Sequence, residues 1–116
     1  EGQKDGSWTY YFDDQKIARS EEWEKGEKEG AFKTFNNMDK LVSEQYFKKG
    51  VPTGIHKEYY QDGREKQVKI FSKKGILEEA YAFDDFGVKQ VIKERETKAM
   101  KKKKKKAKGK DNSLMN

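Results

Sequence analysis

Trp23-Glu24-Lys25-Gly26-Glu27-Lys28-Glu29-Gly30-Ala31-Phe32-Lys33-Thr34-Phe35 is the stretch that decides the fold, because its pattern appears three times in the chain. Gly26 and Gly30 recur 24 residues later as Gly50 and Gly54, and 24 residues earlier as Gly2 and Gly6. Bulky side chains keep the same interval. Trp8 corresponds to Phe32 and His56, Tyr11 to Phe35 and Tyr59, and Trp23 to Phe47 and Phe71. A fixed period of this length marks a repeat architecture, in which one supersecondary unit cannot bury its apolar side alone and leans on its neighbours. Function is then expected in an extended surface and not in a catalytic pocket.

Between the glycine or Asp/Asn clusters lie runs of six to nine residues rich in aromatic and β-branched types, the spacing of successive antiparallel strands. We expect strands at 7–12, 16–24, 31–36, 40–48, 55–60, 64–72, 76–83 and 88–94, with turns between them. Asp62-Gly63 is the sharpest hairpin signal, since glycine readily takes the positive φ of a tight turn. Gly2, Gly6, Gly26, Gly30, Gly50, Gly54 and Gly63 are assigned structural turn roles. They open no helix and no Lys-Ser/Thr pair follows them, so a phosphate cradle is not indicated.

Composition agrees with a thin structure. Of 116 residues, 32% are hydrophobic and 41% charged, too lean a mixture for a thick core, while aromatics at 13% can cover a sheet face with polar ends in water. Trp8, Trp23 and Phe47 are expected in the core. There is no cysteine, hence no disulfide or thiolate metal site. No apolar run approaches the roughly 18 residues of a membrane-spanning helix, so a soluble chain is expected.

The net charge of +6 conceals two regions of opposite sign. From Arg95 onward there are ten basic residues against two acidic ones, while residues 1–94 hold 17 basic and 19 acidic. Lys101, Lys102, Lys103, Lys104, Lys105 and Lys106 form an unbroken run, a candidate anion-binding segment that would favour anionic lipid or a phosphate backbone. We therefore divide the chain into a repeat domain, 1–94, and a lysine-rich tail, 95–116, flexible or helical. Gly75 falls one residue after the position that the period predicts for the next junction, so the last strands are read as a modified capping hairpin.

The quoted stretch and its echo, Phe47-Lys48-Lys49-Gly50-Val51-Pro52-Thr53-Gly54-Ile55-His56-Lys57-Glu58-Tyr59, resemble the bacterial MORN-repeat variant. That pattern is an aromatic residue, a glycine, a second glycine four later, then a Tyr-containing strand ending in an Asx-Gly turn, which Tyr60-Gln61-Asp62-Gly63 matches. The resemblance covers residues 2 to about 90. It implies an all-β fold, a meandering antiparallel sheet of hairpin repeats with about three 24-residue units and a modified C-terminal hairpin. It also implies a non-enzymatic protein-association role, as a scaffold or antitoxin-like component, with membrane lipid as a further association of the wider family. His56 in place of an aromatic, the displaced Gly75 and the lysine tail depart from the pattern.

Chemistry-bearing residues are few. His56 is the sole histidine; it is read as filling the slot of Trp8 and Phe32, with Glu58 on the same strand face. Glu21-Glu22, Glu78-Glu79 and Asp84-Asp85 are read as solvated faces and turn residues, since strand neighbours point to opposite faces. No catalytic residue, metal site or cofactor is assigned. Tyr10, Tyr60 and Tyr81 are candidate protein-binding rings, the partner being another protein of acidic character, and open sheet edges would allow self-association. Nucleic acid or anionic membrane, bound through the tail, is the alternative. Glu1 is not Met and no aromatic precedes Gly2, so residues are expected to have been removed upstream; the compartment stays open between cytoplasm and, after signal cleavage, periplasm.

Overall fold

The computed structural model describes residues 2–100, and the lysine run 101–106 lies outside them. Ten strands form one open antiparallel sheet: β1 (Gly6–Tyr11), β2 (Ile17–Glu24), β3 (Glu27–Lys28), β4 (Gly30–Phe35), β5 (Leu41–Lys48), β6 (Val51–Pro52), β7 (Gly54–Tyr59), β8 (Glu65–Phe71), β9 (Leu77–Phe83) and β10 (Lys89–Lys93). The path across the sheet is β1-β2-β4-β5-β7-β8-β9-β10, with β3 paired to β2 and β6 to β5. Each long strand lies beside the next in sequence, so the chain meanders and never crosses over. The expected all-β hairpin repeat is what the structure has. Among the described residues no helix is long and apolar enough to cross a membrane.

Two kinds of turn alternate, and each has a local cause. The first closes β1–β2, β4–β5 and β7–β8. In it Phe12, Asn36 and Tyr60 donate their backbone N–H to the carbonyls of Lys16, Lys40 and Arg64 at 2.8, 2.9 and 2.9 Å. The third residue of the loop takes positive φ: Gln15 at 70°, Asp39 at 63°, Gly63 at 91°. This is a three-residue loop ending in a left-handed residue, and it shifts the register at Tyr10/Tyr11, Thr34/Phe35 and Glu58/Tyr59. A short polar side chain anchors each loop. Asn36 accepts from the N–H of Met38 and Lys40; where the first position is aromatic, as at Phe12 and Tyr60, Asp14 and Asp62 accept from Lys16 and Arg64 instead.

The second kind joins one unit to the next. Lys25 and Gly26, and again Lys49 and Gly50, both have positive φ, the signature of a tight two-residue turn. Gly26 N–H donates to the Lys4 carbonyl at 2.8 Å and Gly50 N–H to the Lys28 carbonyl at 2.9 Å. Each junction therefore rests on the one before it, and the 24-residue period becomes a translation along the sheet.

The final hairpins correct the expectation about Gly75. It is not a displaced copy of Gly50. Ser72 N–H donates to the Ile76 carbonyl and Gly75 N–H to that of Ser72, the bonding of the first turn kind, and Asp84 to Val88 repeats it. From Phe71 onward the chain drops the two-residue junction and makes 12-residue hairpins only.

Burial is sparse, as the composition demands. Phe32, Val68 and Ala80 are the buried apolar side chains among the described residues. Trp23 and Phe47 are half-buried, and Trp8, expected in the core, is 40% exposed. The reason is position: Trp8 sits on β1, at the sheet edge, with a neighbouring strand on one side only.

Candidate interaction surface

One face of the sheet carries a continuous row of rings. Trp23, Phe32, Phe47, His56 and Phe71 follow one another with centroids 5.3, 5.2, 5.6 and 4.7 Å apart. The row interleaves two sequence series, one from the strand after each junction (Phe32, His56) and one from the strand before it (Trp23, Phe47), which Phe71 continues at the same interval although no junction follows it. Edge-to-face pairs of this kind add about 0.5–1.5 kcal/mol each beyond area burial, which matters in a sheet with so little core.

Lysines cover the row with the same period. Lys4 Nζ lies 5.1 Å from the Trp8 ring and 4.9 Å from Trp23, and Lys28 Nζ lies 5.0 Å from Phe32 and 4.7 Å from Phe47. Pro52 holds the third position, beside His56 and Phe71. Lys4 also donates to the Tyr10 hydroxyl at 3.0 Å, and that bond, with Glu21 nearby, raises its pKa against the opposing effect of desolvation.

Glu21 corrects the solvated reading of the acidic pairs. It is only 7% exposed. It accepts from the Trp23 indole at 2.8 Å and pairs with Arg19 at 2.7 Å and Lys4 at 3.5 Å. Burial pushes its pKa up most strongly, yet the indole bond, Arg19 and Lys4 together outweigh it and hold the carboxyl below its usual range. A signal was present in the sequence: Arg19, Glu21 and Trp23 share one face of β2 at alternate positions.

His56 is buried, at 8% exposure, and its Nε2 lies 2.9 Å from the Tyr46 carbonyl and 3.1 Å from that of Thr53. The Tyr46 N–H also lies 3.2 Å from this nitrogen, and the tautomer with the proton on Nε2 is the one that serves the two shorter carbonyl contacts. Burial first, and Lys69 on the facing strand, depress its pKa despite these bonds, which act in the opposite direction. The ring stands in the slot that corresponds to Trp8 and Phe32, between Phe47 and Phe71, and its bonds to backbone carbonyls are an addition that the correspondence did not foresee.

The opposite face carries a second polar cluster that the sequence reading missed. Tyr46 and Tyr59 both donate to Glu44, and Lys57 pairs with Glu65 at 2.6 Å. Burial and the Glu44 carboxylate push both phenols up. These residues come from three strands with no shared sequence motif, so nothing short of the register exposes them.

The three candidate tyrosines are not brought together. Tyr10 lies on β1 beneath Arg19, 4.2 Å from its ring. Tyr60, in the turn after β7, donates to the Phe83 carbonyl at 2.6 Å, and Tyr81 on β9 sits under Lys89 at 4.2 Å. Each is half-buried and each has a cation over it, but they occupy separate places. No group of three or more His, Cys, Asp or Glu side chains that could hold a metal ion occurs among the described residues. Lys101 to Lys106 lie outside those residues.

Compared with known proteins, the chain matches no family model, no curated protein and no solved structure.

Proposed function

We propose that this chain is a non-enzymatic interaction module of MORN-like hairpin repeats, a scaffold that docks another protein on its sheet. One observation carries this: a single-layer sheet whose path runs through eight strands, with side chains arrayed on both faces and, among the described residues, no second layer over either. Its buried titratable groups, Glu21 and His56, are engaged in structure, and so is half-buried Glu44. His56 holds two carbonyls, Glu21 is neutralised by Arg19 and Lys4, and Glu44 takes two phenols. Such a surface presents fixed rings and cations at regular intervals, which suits protein recognition better than bond-making.

The run Lys101–Lys106 favours a second reading, electrostatic attraction to nucleic acid or anionic membrane. Affinity capture followed by calorimetry on the purified partner separates the two. The full chain and a variant with the six lysines replaced by glutamine should bind the same protein with similar affinity. If glutamine substitution abolishes all binding, and the native chain binds DNA, RNA or anionic vesicles with a steep salt dependence, the tail is the functional element and the sheet reading falls.

A further inference from the structure

We infer that the cup around Lys28, on the ring-bearing face of the sheet, takes an Asp or Glu side chain from an extended segment of the docked protein. This rests on the interaction-module reading and names the chemistry that the segment carries.

The repeat supplies its own comparison. Three residues recur at the 24-residue interval on this face: Lys4, Tyr10 and Glu21, then Lys28, Thr34 and Gln45, then Pro52, Glu58 and Lys69. In the first set the Lys4 ammonium lies over Trp8 and Trp23 and meets the Tyr10 hydroxyl at 3.0 Å and the Glu21 carboxylate at 3.5 Å. In the third, Pro52 brings no charge, and Glu58 and Lys69 line one cup as an acid and a base. The middle set has a cation and no acid. Lys28 lies over Phe32 and Phe47 as Lys4 lies over its rings, but Gln45 stands where Glu21 stands and Thr34 where Tyr10 stands. The Thr34 hydroxyl is bonded to Ser43 at 2.6 Å, and Lys28 makes no ion pair among the described residues.

The cup beside Lys28 has a volume of about 210 Å³, with Arg19, Glu21, Trp23, Phe32 and Gln45 in its walls. Glu21 already faces Arg19 and Lys4, so Lys28 brings a third cation to one carboxylate. An arriving carboxylate would supply at Lys28 what Glu21 supplies at Lys4, with the Gln45 side-chain amide as a second donor. The chain's own run Lys101–Lys106 has the wrong sign for this cup.

The neighbouring cup fixes a second feature of the segment. Gln45 is a wall common to both, and the second cup is lined by Phe47, Pro52, His56 and Phe71. Equivalent points in the two cups are two strand spacings apart, roughly 10 Å. Three residues of an extended or polyproline-type chain cover about the same distance. The segment therefore carries its acidic residue three positions from an apolar one and lies across the strands, bound by side chains on the face and not by a sheet edge.

The test titrates a capped peptide, Pro-Glu-Pro-Pro-Leu-Pro, into the isotope-labelled full chain, to about millimolar concentration. Expected are shifts of the Lys28 and Gln45 side-chain signals and of the Phe47 ring. A peptide with glutamine in place of glutamate should bind roughly three- to tenfold more weakly, and Lys28→Gln in the protein should weaken binding to the same degree. Gln45→Glu rebuilds at Lys28 the pair that Glu21 makes with Lys4 and should weaken binding about tenfold or more. Gln45 is exposed, so this variant leaves the fold in place. Equal binding of the glutamine peptide, binding indifferent to Gln45→Glu, the same shifts from sodium acetate at equal concentration, shifts centred elsewhere, or no shift at all overturns the inference. So does a Lys28 signal that moves when residues 101–116 are deleted, since the chain's own tail would then be the occupant. A captured protein partner whose affinity is unchanged by Gln45→Glu also overturns it, while the interaction-module reading stands.

Discussion

His56 Nε2 sits 3.1 Å from the Thr53 carbonyl, and this contact is the translated copy of the one that the Trp8 indole makes with Asp5. A histidine therefore replaces an aromatic in the repeat without loss of geometry, because imidazole supplies both a flat ring for Phe47 and Phe71 and an N–H for the backbone.

That substitution makes stability depend on pH. The folded protein holds His56 neutral with a depressed pKa, so just below the ordinary value of 6.5 the unfolded chain binds more protons than the folded one. Stability is full above that value and declines as pH falls through it toward the folded pKa. Urea midpoints at pH 7.5 and 5.5 should show the fall, in a window above carboxylate titration. His56→Phe should flatten it, and at pH 7.5 should cost about 1 kcal/mol for the carbonyls left without their donor.

Glu21→Ala should destabilise by about 1–2 kcal/mol, since it removes the indole's acceptor and leaves Arg19 and Lys4 facing each other. Glu21→Gln keeps an acceptor for Trp23 and should cost less. In the parent the depressed carboxyl pKa gives stability that is present above the usual value of 4.5 and lost as pH falls below it. Chemical denaturation of the three proteins at pH 7.5 and 4.0 checks both statements.

Gly63 and Gly75 occupy the same turn position but should respond differently. Gly63→Asn should cost well under 1 kcal/mol, because Asp39 and Gln15 already hold that conformation and nothing lies within 4 Å of an added Cβ. At Gly75 an added Cβ would fall 2.4 Å from Val51 Cγ1, so Gly75→Ala adds a clash to the backbone cost and should lose about 2–3 kcal/mol. Val51→Ala should recover part of that loss. Thermal unfolding of the variants, alone and combined, measures the coupling.

A second copy of residues 25–48 inserted between Lys48 and Lys49 should fold into a longer sheet. The junction bonds Gly26–Lys4 and Gly50–Lys28 are translations of each other, so an added unit meets the partners it needs on both sides. Circular dichroism should show proportionally more strand, and small-angle scattering a longer particle with unchanged thickness. A molten or aggregated product would mean that the units are not interchangeable.

Much of this could be read from residue order. The 24-residue interval placed the strands, the two-residue alternation put Trp23 and Glu21 on one face, and correspondence with Phe32 gave His56 its structural role. Short-range pattern suffices where each element depends on its own turn. It failed at Gly75, because one residue of offset changes the turn kind and so the neighbour it touches, and at Glu44, whose phenolic donors, Tyr46 and Tyr59, come from its own strand and from the strand beside it.

The order of amino acids alone determined that this chain is a run of equivalent hairpins, since periodicity and turn chemistry are properties of adjacent residues. Only the tertiary structure decided which of the equivalent side chains are covered. Trp8 and Phe32 are the same residue of the repeat, yet one is open to water and the other is not. Burial on a single-layer sheet comes from strands on both sides, and the last strand of a row has only one.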